Sequence, residues 1–84
     1  MNLRVLVIDD HTLFREGLEG LLTRRDIDVI ASVGDGETGI RLAQELNPDI
    51  ILLDMRMPDI NGLGVLKRLN ECGLTMPISM LTTS

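Results

Sequence analysis

Four consecutive aliphatic residues, Ile50-Ile51-Leu52-Leu53, run without a break onto a carboxylate at Asp54. A strand that is apolar at every position must be buried on both faces, which is the condition of a parallel sheet covered by helices. Pro58, Asn61 and Gly62 follow and end the strand firmly. Asp54 is therefore expected at the carboxyl end, the edge where open α/β sheets place their ligands. A second run, Val5-Leu6-Val7-Ile8, stops in the same way on Asp9-Asp10. Parallel strands side by side would bring all three carboxylates to one edge. Like charges held close are costly without a counter-ion, and carboxylate oxygens suit Mg²⁺. With such a cation bound, one carboxylate can attack a phosphoryl donor and form an aspartyl phosphate, and Asp54 is assigned that role. Taken singly, each acid reads as well as a helix cap or a solvated loop residue. The three together favour a site.

The rest of the chain alternates. Thr12 to Arg24 places Phe14, Leu18, Leu21 and Leu22 on one helical face, with Arg15, Glu16, Glu19 and Arg24 on the wet side. His11 precedes that helix as an exposed entry-loop residue, and no role is assigned to it. The strand Val29 to Val33 is short and flanked by Asp26 and Asp28, which reads as a position nearer the sheet edge. Asp35-Gly36 opens a second helix, with Ile40, Ala43 and Leu46 on one face and its end at Asn47-Pro48. After Gly62, a third helix carries Leu63, Leu66 and Leu69 inward and closes at Cys72-Gly73. Pro77 to Leu81 makes a fourth strand. The order βαβαβαβ implies right-handed crossovers, a parallel sheet, and a flavodoxin-like doubly wound arrangement with strands one and three adjacent.

Composition narrows the function. Eighty-four residues make one small domain, and with Phe14 the single aromatic the core is built from Leu, Ile, Val and Met. A net charge of -5 argues against direct binding to nucleic acid, whose phosphates need clustered Lys and Arg. One cysteine, Cys72, allows no internal disulfide, and one histidine is too few for a usual zinc site. Neither a signal peptide nor a bilayer-spanning run is legible, so the expectation is a cytoplasmic protein that makes no membrane contact.

From Leu3 to Ser84 the chain resembles the receiver domain of bacterial two-component response regulators. The resemblance rests on Val7-Ile8-Asp9-Asp10-His11, on Gly34-Asp35-Gly36, on Pro48-Asp49-Ile50-Ile51-Leu52-Leu53-Asp54-Met55, and on Met57-Pro58-Asp59-Ile60-Asn61-Gly62. It implies a CheY-like fold in which Asp54 takes a phosphoryl group from a histidine kinase. It also implies that Asp9 and Asp10 hold Mg²⁺ beside Asp54, that Arg56 adds its backbone carbonyl to the metal, and that Thr82 is a switch hydroxyl. Such a domain is a phosphoacceptor that assists its own phosphoryl transfer and hydrolysis, rather than an enzyme acting on other molecules. The run from Asp9 to Leu18 looks most like NarL/LuxR-type receivers, which precede a helix-turn-helix. That implies transcription regulation, with DNA bound only through an output domain outside these residues. Family receivers continue through a fourth helix, a fifth strand and a fifth helix, so residues 1–84 read as a partial receiver incomplete at the C-terminus. Exposed apolar surface is expected on strand four and the first helix, with homodimerisation to cover it.

Two other readings compete, besides a phosphatase that hydrolyses its aspartyl phosphate, which would want another acid beyond Asp54 where position 56 is an arginine. Gly34-Asp35-Gly36-Glu37-Thr38-Gly39 spells G-x-G-x-x-G between a strand and a helix, a dinucleotide fingerprint on paper, though Asp35 and Glu37 put negative charge where a pyrophosphate would sit. An interaction module of the same fold that never takes phosphate is the other, and it leaves the three acids without a purpose.

Overall fold

A computed structural model describes residues 2–57 and 59–81. Strands β1 (Arg4–Ile8), β2 (Asp28–Val33), β3 (Ile50–Asp54) and β4 (Ile78–Leu81) alternate with helices α1 (Thr12–Arg24), α2 (Gly36–Leu46) and α3 (Gly62–Glu71). All pairings are parallel and the strand order is β2-β1-β3-β4. The chain moves one way from β1 to β2 and the other way from β2 to β3 and from β3 to β4. Right-handed crossovers then put α1 on one face of the sheet and α2 with α3 on the other.

Burial follows from that arrangement. Leu6 and Ile8 of β1 and Ile51 and Leu53 of β3 form the core with Ile40 and Ala43 of α2, Val65 and Leu69 of α3, and Met57. Val5 and Val7, at alternate positions of β1, are buried on the opposite face. β1 is central and β2 is an edge strand, as its flanking acids suggest, although its six residues make it the longest of the described strands rather than a short one. Polar contacts fasten the far end of the sheet. The Arg4 guanidinium donates to the carbonyls of Leu46 and Asn47 at the left-handed end of α2, and the Arg4 N–H donates to Asp49.

The face of α3 differs from expectation, whereas α1 shows the exposed apolar surface expected of it. The buried positions of α3 are Gly62, Val65 and Leu69, whereas Leu63 is exposed. The rotation of α3 is set at its start, where the Asn61 side chain accepts from Gly64 N–H at 2.8 Å and Gly62 packs on the end of β3. A Cβ at Gly62 would lie 2.7 Å from the Asp54 carbonyl oxygen, so only glycine lets α3 begin this close to the strand. On α1 no residue is fully buried: Leu18 and Leu22 are half-buried, while Phe14 and Leu21 of the expected apolar face remain exposed beside Leu13. The sheet covers only part of that stripe.

Candidate metal centre

The register between β1 and β3 pairs Ile8 with Leu53, so the next residues along, Asp9 and Asp54, fall side by side at the carboxyl edge. Both are buried, at 0% and 1% exposure. The Asp9 N–H is tied to the Val33 carbonyl at 3.0 Å, which extends the β1 alignment to the site. Asp54 Oδ1 accepts from the Arg56 N–H at 3.1 Å, a tight turn that folds the following loop back over the carboxylate. Asp9 Oδ2, Asp54 Oδ2 and Asp10 Oδ1 are shielded from solvent and have no hydrogen-bond partner among the described residues. Buried carboxylate oxygens without a donor are expensive, and a hard cation is the partner their chemistry fits.

His11, given no role from the sequence, enters this cluster. Its ring is half exposed, yet Nδ1 lies 2.9 Å from Asp9 Oδ1, 3.3 Å from Asp10 Oδ1 and 3.7 Å from Asp54 Oδ2. An ionised carboxylate only accepts, so the ring N–H sits on Nδ1 and donates to Asp9. The hydrogen bond to Asp9 outweighs the opposing desolvation and, with the Asp10, Asp9 and Asp54 charges, raises the imidazole above its ordinary value. One ligand atom from each of Asp9, Asp10, His11 and Asp54 can be chosen so that all lie within 4.8 Å of one another. The available sequence signal was adjacency: His11 follows the acid pair directly.

Asp59 was also missed as a structural element. From the loop after β3 it accepts the N–H groups of Gly36 and Glu37, each at 3.2 Å, capping α2 across the site. Burial would raise its carboxyl, but these backbone bonds outweigh it and hold Asp59 below the usual carboxylate range. Asp35 caps the same helix from its own side through Thr38 N–H. The N-terminus that a dinucleotide would need is thus taken by two carboxylates on an edge-strand connection, which removes the reading of Gly34 to Gly39 as a nucleotide fingerprint.

Arg56 directs its N–H at Asp54 and is exposed. Leu81 pairs with Asp54 in the β3–β4 register, and Thr82, the expected switch, lies outside the described residues.

The family model for the response regulator receiver domain matches residues 5–84. The chain belongs to the response regulator receiver domain family. This receiver is 43% identical over 81 residues to the nitrate/nitrite response regulator NarL of Escherichia coli K12, covering 95% of this chain and 38% of that protein. It is 44% identical to the transcriptional regulatory protein YdfI of Bacillus subtilis over the same share of both. The signal receiver domain of NarL from Mycobacterium tuberculosis superposes with a TM-score of 0.91 at 32% identity, over 99% of this chain and 68% of that one. The receiver is thus a signalling domain of the NarL/LuxR type with a CheY-like fold. It spans well under half the length of the curated relatives it matches. None of its described helices is long and apolar enough to cross a membrane.

Proposed function

We propose that this receiver accepts a phosphoryl group from a histidine kinase onto Asp54, in the cytoplasm. Asp9, Asp10 and Asp54, with the Arg56 backbone carbonyl, would hold Mg²⁺, and Thr82 would carry the change to a DNA-binding output domain. The observation that carries this reading is the pairing of two buried carboxylates, Asp9 and Asp54, each with an oxygen that has no donor among the described residues, at the ligand-binding edge of the sheet.

In the transfer, an Asp54 carboxylate oxygen bonds to phosphorus as the P–N bond of a phosphohistidine breaks, and the bonding pair stays on the imidazole nitrogen. When bound, Mg²⁺ supplies the positive charge that offsets the clustered acids and the phosphoryl oxygens. Asp9 and Asp10 hold their carboxylates toward that position, and the Arg56 N–H fixes the rotation of Asp54. Hydrolysis reverses the modification: water adds to phosphorus and the P–O bond to Asp54 breaks, returning the carboxylate and inorganic phosphate. The domain so modifies itself and does not turn over a separate substrate. Exposed Leu13, Phe14 and Leu21 on α1 support homodimerisation through that helix.

Intact mass after incubation with Mg²⁺ and acetyl phosphate tests the reading. One added phosphoryl group is expected in the native chain, with none in Asp54→Asn or in the absence of Mg²⁺. Mg²⁺ binding with an unchanged mass, also in a longer chain carrying the natural continuation, would leave the domain as a phosphate-free interaction module.

A further inference from the structure

We propose that His11 supplies a nitrogen ligand to the acidic cluster, giving a mixed nitrogen and oxygen site that takes a first-row transition ion such as Zn²⁺ or Co²⁺ in competition with Mg²⁺. The proposal rests on the reading of Asp9, Asp10 and Asp54 as a cation site and adds a second class of ion to it.

Three observations converge. The His11 side chain is 54% exposed and has open solvent available, yet its Nδ1 stands 2.9, 3.3 and 3.7 Å from oxygens of three different aspartates. Bonds of about 2.0–2.2 Å to one ion set neighbouring donors roughly 2.8–3.6 Å apart in octahedral or tetrahedral geometry. The separations to Asp9 and Asp10 are those of donors that share an ion, and the one to Asp54 lies just beyond that range. Next, Asp9 and Asp54 are essentially fully buried, and their Oδ2 atoms have no hydrogen-bond partner among the described residues. Finally, the His11 N–H donates to Asp9 Oδ1 at 2.9 Å, so the backbone carrying the ring is itself fastened to one of the ligands.

The donor set decides which ion benefits. Mg²⁺ favours oxygen and retains water, so it draws on the aspartates alone and leaves the imidazole out. Zn²⁺ and Co²⁺ accept imidazole readily, and on such sites they bind more strongly than the hard ions. Coordination through Nδ1 requires the neutral ring with its proton on Nε2; the proton now held on Nδ1 moves there or leaves to solvent. A transition ion held this way uses Asp54 as a ligand and so excludes Mg²⁺ from the same carboxylates.

The test is calorimetric titration of Zn²⁺ and Mg²⁺ in a Cys72→Ser background, because the exposed Cys72 thiol is a competing soft ligand. The proteins compared are that background, His11→Ala and Asp9→Asn, with nitrogen-15 imidazole spectra alongside. His11→Ala should weaken Zn²⁺ about tenfold or more and change Mg²⁺ by less than about twofold, on the scale that metal-site partners command. Zn²⁺ should also shift the His11 Nδ1 resonance strongly. Unchanged Zn²⁺ affinity in His11→Ala, an unmoved Nδ1 resonance, or equal weakening of both ions would overturn the proposal. Undiminished Mg²⁺ binding in Asp9→Asn would instead remove the cation site on which it rests.

Discussion

Asp54 is the residue at which stability and chemistry oppose each other. Its carboxylate is buried, has one oxygen without a hydrogen-bond partner among the described residues, and lies beside Asp9, so in metal-free protein it is a cost to the fold. Asp54→Asn should therefore stabilise the metal-free domain by roughly 1–3 kcal/mol, the scale of an uncompensated buried polar group, read as a rise in Tm. Mg²⁺ should raise the native Tm and leave the variant almost unmoved, because a ligand stabilises only the state that binds it. His11 gives a pH signature in the same metal-free protein. Its bond to Asp9 favours the protonated ring, so its titration midpoint should lie above 6.5, followed by imidazole proton resonances. That pairing is fully present below the unfolded value and is lost as pH rises through the higher folded one. Asp9→Asn should bring the midpoint back toward 6.5. The acids were legible from sequence because each ends an aliphatic run, and strand register did the rest. The orientation of His11 was not, since a ring in an entry loop has no periodicity to betray which way it turns.

Elements meet at glycine contacts and caps that hydrophobic patterning does not encode. The α3 face was misjudged at Leu63, which is exposed though it is as apolar as the buried Val65 and Leu69. What decides the rotation is Gly62 against the Asp54 backbone. Gly62→Ala should cost about 1–3 kcal/mol in denaturant unfolding, as over-packing against backbone does, and should weaken Mg²⁺ binding as the end of β3 shifts. Asp59 is equally invisible to local reading, since the helix it caps begins 23 residues earlier. Asp59→Ala should lower stability by about 1 kcal/mol or less, given its exposure. Its carboxyl is held below the usual 3.8, so that contribution is present above the ordinary value and fades as pH falls through the lower folded one. Native and variant acid-unfolding curves should converge at the acid end.

Across the whole molecule, strand number, order and direction could be read from alternating apolar runs, because each run is long enough to demand burial and each connection is long enough for a helix. The exposed apolar surface expected on α1 is present: its amphipathic face is only half covered by the described sheet, with Leu13, Phe14 and Leu21 exposed. If that face self-associates, light scattering should show mass rising with concentration, and Phe14→Glu should disperse the protein without altering Mg²⁺ affinity. The parallel register has a kinetic consequence. Asp9 and Asp54 become neighbours only after Ile8 has found Leu53, so the longest loop closure within the site must precede any cation binding. A cation that arrives after this step cannot hurry it. Mg²⁺ should leave the refolding rate untouched and act as a latch, slowing unfolding alone.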